Sequence, residues 1–201
     1  QLIGNAIFKS DGGKLGGYLY IPGSSDYAKI PYRSEFDLPQ SFSVEFWFRQ
    51  RADQSFLQDL VYKGKGMYVF PNNNYNFRIF RQLWNQYNFG PIQASYINNN
   101  TGYYTGVTNS NQLSHGEWHH VVYTKDATGS EYYLDGTSIY RNTDAAPART
   151  NSADIIIGDT AVDTDIDNLR IYNRALTSLE VLQRYSNPAL ASRGTEEFSK
   201  L

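Results

Sequence analysis

Four aspartates crowd one short stretch of this chain: Asp159, Asp163, Asp165 and Asp167. Carboxylates at alternate positions of an extended segment share one face and repel unless something neutralises them. The chemistry such a group offers is that of a hard cation, above all calcium, which takes about six to eight oxygen ligands. An EF-hand is excluded, because Asn168 stands where its glycine belongs and Arg174 where its bidentate glutamate belongs. The residues alone leave two readings open, a cation site or solvated turn aspartates. A second constellation is aromatic. Between Pro71 and Tyr104 lie Asn72–Asn74, Asn98–Asn100, Trp84 and the tyrosines 75, 87, 96, 103 and 104, with Arg78 and Arg81 as the only charges. Flat C–H faces of a sugar stack on such rings, while asparagine and arginine reach the hydroxyls. Trp84, Tyr75, Tyr87, Tyr103 and Tyr104, with Arg81, Asn74 and Asn85, therefore suit a glycan or peptide surface. Several of these rings could equally be core, since aromatic side chains bury large areas.

Other reactive types give less. His119 and His120 are consecutive in an extended run, so they point to opposite faces and cannot bind one ion from the same side; packing or hydrogen bonding is the expected role. His115 falls in a turn. No cysteine is present, which excludes thiolate metal sites, cysteine nucleophiles and disulfides. The glycine-rich run Asp11–Gly17 lacks the Gly-Lys-Ser/Thr ending of a phosphate loop and reads as a turn. No Gly-x-Ser-x-Gly elbow occurs. Glycoside hydrolysis needs two carboxylates flanking one bond, and Glu45 stands alone among aromatics.

The elements that must position these residues are strands. Ser41–Arg49 alternates cleanly, with Phe42, Val44, Phe46 and Phe48 on one face and Ser41, Ser43, Glu45, Trp47 and Arg49 on the other. Trp118–Thr124, Glu131–Leu134 and Thr137–Tyr140 form a meander, with Asp135-Gly136 suited to positive φ at its second turn. Leu2–Phe8, Tyr18–Ile21, Tyr27–Ile30, Leu60–Lys63, Met67–Phe70, a segment near Asn76–Phe80 and Ala153–Gly158 add further strands. A turn from Asp163 leads into a last strand ending at Tyr172. Thr177-Ser178-Leu179-Glu180 is a capping box that opens a short helix to about Tyr185, ended by Pro188. The fold class is all-β, one domain over 1–190 with a polar tail or linker over 191–201. The 18 basic and 20 acidic residues leave a net charge of −2, with no basic field for nucleic acid. No apolar run approaches the roughly 18 residues of a membrane span. The start at Gln1, without Met, is expected of a mature or excised piece of a longer protein.

Three stretches, in order and spacing, resemble the laminin-G-like and pentraxin-like jelly rolls of the concanavalin A-like lectin/glucanase superfamily: Phe42–Phe48, Gly116–Val122 running on to Tyr133–Gly136, and Ile166–Leu176. The resemblance spans roughly residues 18–186. It implies a two-sheet antiparallel jelly-roll sandwich with one short C-terminal helix, extracellular or at the cell surface, non-catalytic, and attached to other domains of a larger protein. In related domains an acidic residue corresponding to Asp167 ligates calcium beside an early loop, here Gly23–Asp26. The resemblance thus implies a structural calcium ion held by Asp26 and Asp167, although Pro22 replaces an aspartate usual in that loop. Arg33-Ser34-Glu35-Phe36 is similar to an arginine motif of alginate lyases with this jelly roll, but their Gln-Ile-His motif is missing. The expected function is recognition of a carbohydrate or cell-surface ligand through the aromatic and asparagine-rich loops. The alternatives are a protein-binding or structural domain of an adhesin or virion and, third, a degenerate glycan-active enzyme.

Overall fold

The computed structural model describes residues 1–51, 58–64, 77–81, 93–97, 103–107, 113–160 and 163–191. Fourteen strands among these residues form two antiparallel sheets of seven. In order across sheet I lie β1 (Leu2–Ile3), β4 (Tyr27–Ile30), β13 (Ile155–Ile157), β6 (Gln58–Lys63), β7 (Phe77–Arg81), β8 (Gln93–Ile97) and β9 (Tyr103–Val107). Sheet II runs β12 (Thr137–Asn142), β11 (Gly129–Leu134), β10 (His119–Asp126), β5 (Phe42–Gln50), β14 (Thr164–Tyr172), β3 (Tyr18–Ile21) and β2 (Ile7–Lys9). Hairpins link β6 to β9 and β10 to β12, while β5, β13 and β14 enter between strands distant in sequence. This is the all-β class that the alternation and turns lead one to expect, in the jelly-roll sandwich that the resemblance implies.

The inward face of β5 is the one its pattern assigns. Phe42, Val44, Phe46 and Phe48 are buried with Val121, Tyr123 and Tyr132 from β10 and β11, opposite Val61, Ile79, Ile155 and Ile157 of sheet I. The outward face departs from the expectation, for Ser43, Glu45 and Trp47 are buried as well. Their cover is α1 (Ser178–Ser186) and the segment before it, which bring Leu176 and Val181 onto Val122, Tyr133 and Tyr172 as a second apolar cluster. The capping box forms as its sequence predicts: the Thr177 hydroxyl accepts from the Glu180 amide and the Glu180 carboxylate accepts from the Thr177 amide. Pro188 opens a further short helix, α2 (Pro188–Ala191).

Three local expectations change. Leu2–Phe8 is two strands, because Gly4 (φ +67°) turns the chain from sheet I to sheet II. A Cβ at Gly4 would overlap the Asp26 carboxylate, whose Oδ1 accepts from the Asn5 amide at 2.7 Å, so only glycine fits that crossing. The turn between β10 and β11 is tighter than expected, since Asp126 closes it by accepting from the Thr128 amide and hydroxyl. The turn of the acidic stretch is shorter than expected: Asp163 (φ +51°) makes the bend and β14 starts at Thr164, so Asp165 and Asp167 lie within the strand. The expected strand Met67–Phe70 and the tail beyond Ala191 lie outside the described residues.

Candidate functional site

The outward face of sheet II carries the polar side chains from which any site on the described surface must be built. Pairing of β5 with β14 sets Arg49 beside Asp165 and Glu45 beside Arg170; pairing of β5 with β10 sets Trp47 beside His120. These partners lie 73 to 125 positions apart in sequence (His120 minus Trp47; Arg170 minus Glu45) and meet only through the sheet order.

At the end of this face not covered by α1, ring and guanidinium planes alternate. The Arg49 guanidinium lies 4.6 Å from the ring centre of Trp118 and 5.5 Å from that of Tyr18, and Trp118 meets Tyr18 edge-on at 6.0 Å. Arg51 lies 4.8 Å over Tyr20. Asp165 organises the row. Wholly buried, it accepts from Arg49 Nε at 2.7 Å and from Arg51 Nε and Nη2 at 3.1 Å each. Arg51 Nη2 also donates to the Tyr18 hydroxyl at 3.0 Å, and Tyr20 donates to Asp163 at 3.1 Å. Two cations around one buried anion leave the guanidinium edges turned outward, with 40% of the Arg51 side chain exposed. Hydrogen bonding to Asp165 raises the Arg51 pKa further above its ordinary value. Trp118 and Tyr20 are half-buried, so parts of both rings face water. The row thus offers fixed aromatic surface beside fixed donors, an arrangement that can stack on a flat C–H face and hydrogen-bond its hydroxyls.

Under α1 the same face is closed. Glu45 is 1% exposed and accepts from His120 Nε2 at 3.1 Å, Tyr172 Oη at 2.7 Å and Arg184 Nη1 at 3.3 Å. Burial alone would raise its pKa; the hydrogen bond and electrostatic pull of His120, joined by Arg184 and Tyr172, outweigh it and hold the carboxyl below its ordinary value. Burial, and then Glu45 itself, push the Tyr172 phenol well up. Trp47 packs against the His120 ring at 4.8 Å and the Tyr185 ring at 5.9 Å, which also meet each other at 6.2 Å, with Lys14 Nζ 4.2 Å from the Trp47 ring. Glu45 cannot reach a substrate from here. His119 faces the other way, toward Phe48, and bonds Asp135 at 2.8 Å, so the two histidines serve opposite faces in packing and hydrogen bonding.

The expected calcium pair does not converge. Asp26 follows the far end of β3, where it accepts from Asn5. Asp167 lies toward the near end, because Thr164 pairs with Ile21 and Ile166 with Leu19; its Oδ2 accepts from the Leu15 amide at 2.9 Å. Four residues of β3 separate the two loops, about 13 Å at 3.3 Å per residue. Burial raises the Asp167 pKa against the opposing pull of the Leu15, Asn168 and Lys14 amides. Its role is to pin the 13–17 turn, where a Cβ on Gly13 would come within 2.8 Å of Oδ2. Among the described residues no group of three or more His, Asp or Glu side chains is placed to hold a metal ion. These donor sets do not fit one shared ion.

Of the aromatic set, Trp84, Tyr75, Tyr87, Asn74 and Asn85 lie outside the described residues. Arg81 ends β7, and in β9 Tyr103 pairs with Ile97 and Tyr104 with Tyr96. Sequence reasoning passed over Trp118, Arg49, Arg51 and Asp165 as a unit. The usable signal was the alternation itself, which puts Arg49 and Asp165 outward on strands that the three matching stretches make neighbours.

Residues 22–182 match the model of the concanavalin A-like lectin/glucanases superfamily. No curated protein matches the sequence. Among solved structures, the fold is similar to the ligand binding domain of botulinum neurotoxin serotype D in complex with N-acetylneuraminic acid (TM-score 0.74, 14% identity, 94% of this chain and 46% of that one). It is also similar to domain 4 of a GH43 extracellular arabinanase from Geobacillus stearothermophilus in complex with arabinotriose (TM-score 0.67, 21% identity, 90% and 81% covered). A third is the Trypanosoma rangeli sialidase (TM-score 0.64, 16% identity, 96% and 30% covered). The chain thus spans less than half the length of the toxin domain and most of the arabinanase domain.

Proposed function

The chain belongs to the concanavalin A-like lectin/glucanase superfamily, and from that premise we propose that it is a non-catalytic, extracellular recognition domain that binds carbohydrate. The observation that carries this reading is the outward row of Trp118, Arg49, Arg51 and Tyr20, backed by the buried Tyr18 and Asp165. Its rings and guanidinium edges are pre-set by the sheet, so binding orders few rotamers. Trp84 and the tyrosines of the 71–104 segment belong to the same proposal as a second aromatic surface. Neighbouring folds favour it: the arabinanase domain is in complex with arabinotriose and the toxin domain with N-acetylneuraminic acid. One of those neighbours belongs to an extracellular arabinanase, which is the support for the compartment; no helix among the described residues is long and apolar enough to cross a membrane.

The non-catalytic part rests on Glu45, sealed under α1 with its oxygens engaged. Incubation with β-glucans, agars or alginates should release no reducing sugar; release that vanished in a Glu35→Gln or Glu45→Gln variant would assign catalysis instead. Binding is tested by a glycan array followed by calorimetry, with arabino-oligosaccharides and sialylated glycans as the first probes. Trp118→Ala should weaken the best ligand at least about tenfold, or 1.4 kcal/mol, with melting little changed. Loss in Trp84→Ala and none in Trp118→Ala would place the contact on the 71–104 segment. Binding to no glycan would move the domain to the protein-binding class.

A further inference from the structure

The row around Asp165 has a charge character that its rings alone do not reveal. A guanidinium donates from Nε, Nη1 and Nη2, and the two arginines spend the same part of this supply. Arg49 turns Nε and Nη2 toward Asp165, both at 2.7 Å. Arg51 gives Asp165 its Nε and Nη2 at 3.1 Å each, and Nη2 also donates to the Tyr18 hydroxyl. In neither arginine does Nη1 meet an acceptor among the described residues. Two cations thus share one contacting anion. That anion is wholly buried, while 21% of the Arg49 side chain and 40% of the Arg51 side chain are exposed. The next carboxylates already hold donors: Asp163 accepts from Tyr20, and Glu117, next to Trp118 in sequence, accepts from Ser114. A ligand approaching the row meets the positive edges first, with their counter-charge behind them.

We propose that the row takes a glycan bearing a carboxylate, a sialate or a uronate residue, in preference to a neutral one; the inference rests on the carbohydrate reading above and narrows it. The half-buried rings of Trp118 and Tyr20 offer the stacking surface, and the ligand's carboxylate accepts from the open Nη1 groups. Hydrogen bonds between ionised partners are roughly twice as strong as neutral ones. A sugar hydroxyl can accept at the same place, but it leaves the outer guanidinium charge without a partner once the ring has displaced water. The guanidiniums need not move to receive the acid. Asp165 holds both from within, and the rings fix their planes: Trp118 and Tyr18 for Arg49, Tyr20 for Arg51. Their ordering is complete on folding, so binding loses little rotamer freedom.

The test compares acids with their own neutral forms by calorimetry on the 201-residue protein. Sialyllactose is titrated against its methyl ester and trigalacturonate against its methyl ester, with lactose and arabinotriose as neutral references. The expected result is that one acid binds at least about tenfold tighter than its ester, by a margin that shrinks as salt rises. Which acid shows the margin tells sialate from uronate. Arg51→Gln should shrink the same margin, whereas a merely structural role would weaken acid and ester alike. If that variant does not fold, the acid and ester compared on the unaltered protein decide alone. Equal affinity for acid and ester, binding of the neutral sugars only, or acid and ester weakened alike in Arg51→Gln overturns this inference and leaves the carbohydrate reading standing. Binding of no glycan overturns both.

Discussion

Two carboxylates on the same face of one sheet, Glu45 and Asp165, are both shut away from water, yet the structure treats them oppositely. Glu45 is answered by an imidazole, a phenol and a guanidinium that α1 and the sheet press inward, and an apolar cluster seals the layer above. Asp165 is answered by two arginines whose outer edges stay in solvent. The comparison shows how a sandwich can use a buried charge for two ends. Closed on all sides, it fixes the packing of a helix; capped by exposed cations, it holds a surface rigid while leaving that surface open to a ligand.

The comparison can be broken at its closed half first. Glu45→Ala removes the acceptor from a buried network, and breaking such a pair costs about 3–5 kcal/mol. At roughly 2–4 °C per kcal/mol for a domain of this size, the fall in Tm should be near 10 °C or more, with α1 loosened. A loss comparable to an exposed site's would show that α1 does not depend on this network. Asp165→Asn should cost less, about 1–3 kcal/mol, because water can solvate Arg49 and Arg51 once they are released; a loss as large as that of Glu45→Ala would erase the distinction between closed and open.

Acid sharpens the contrast. Glu45 and Glu180 both titrate below their ordinary 4.5 in the folded protein, Glu180 at about 2 through its bonds to Arg174 and the helix start. A depressed folded pKa contributes stability that is present above the unfolded value and lost as pH falls through the folded one. Thermal melting should therefore decline from about pH 4.5 downward toward 2, and Glu45→Gln should flatten that decline. The smallest effect concerns calcium. Asp26→Ala and Asp167→Ala should each lower Tm by the same amount in millimolar calcium and in chelator, since their oxygens serve amides. A calcium-dependent gap in either variant would assign it to an ion.

Much of the inner half of this molecule was legible in its sequence. The alternation of β5, the Asp135-Gly136 turn and the capping box at Thr177 are local signals, and local physics satisfies them. What escaped reading depends on distant cover. Nothing near Glu45 announces that Arg184, 139 residues later, will close over it, nor near Leu15 that Asp167 will take its amide 152 positions on. Alternation predicts which face a residue joins, and it does not predict what is laid upon that face. The calcium pairing has a related root: it joined two acids by family analogy, whereas the antiparallel register of β3 against β14 sets Asp167 and the loop of Asp26 at opposite ends of β3.

The crossing at Gly4 has a consequence for how the domain behaves among its own copies. It ends both sheets, on one side, in strands of only two and three residues. Such stubs offer a neighbour too few unpaired amides and carbonyls to extend the sheet. Behind them, β4 and β3 are each four residues long and would make far better templates. The first nine residues therefore act as a bumper: a chain trimmed of them would present two fresh edges side by side and be prone to stack, strand upon strand, into aggregates.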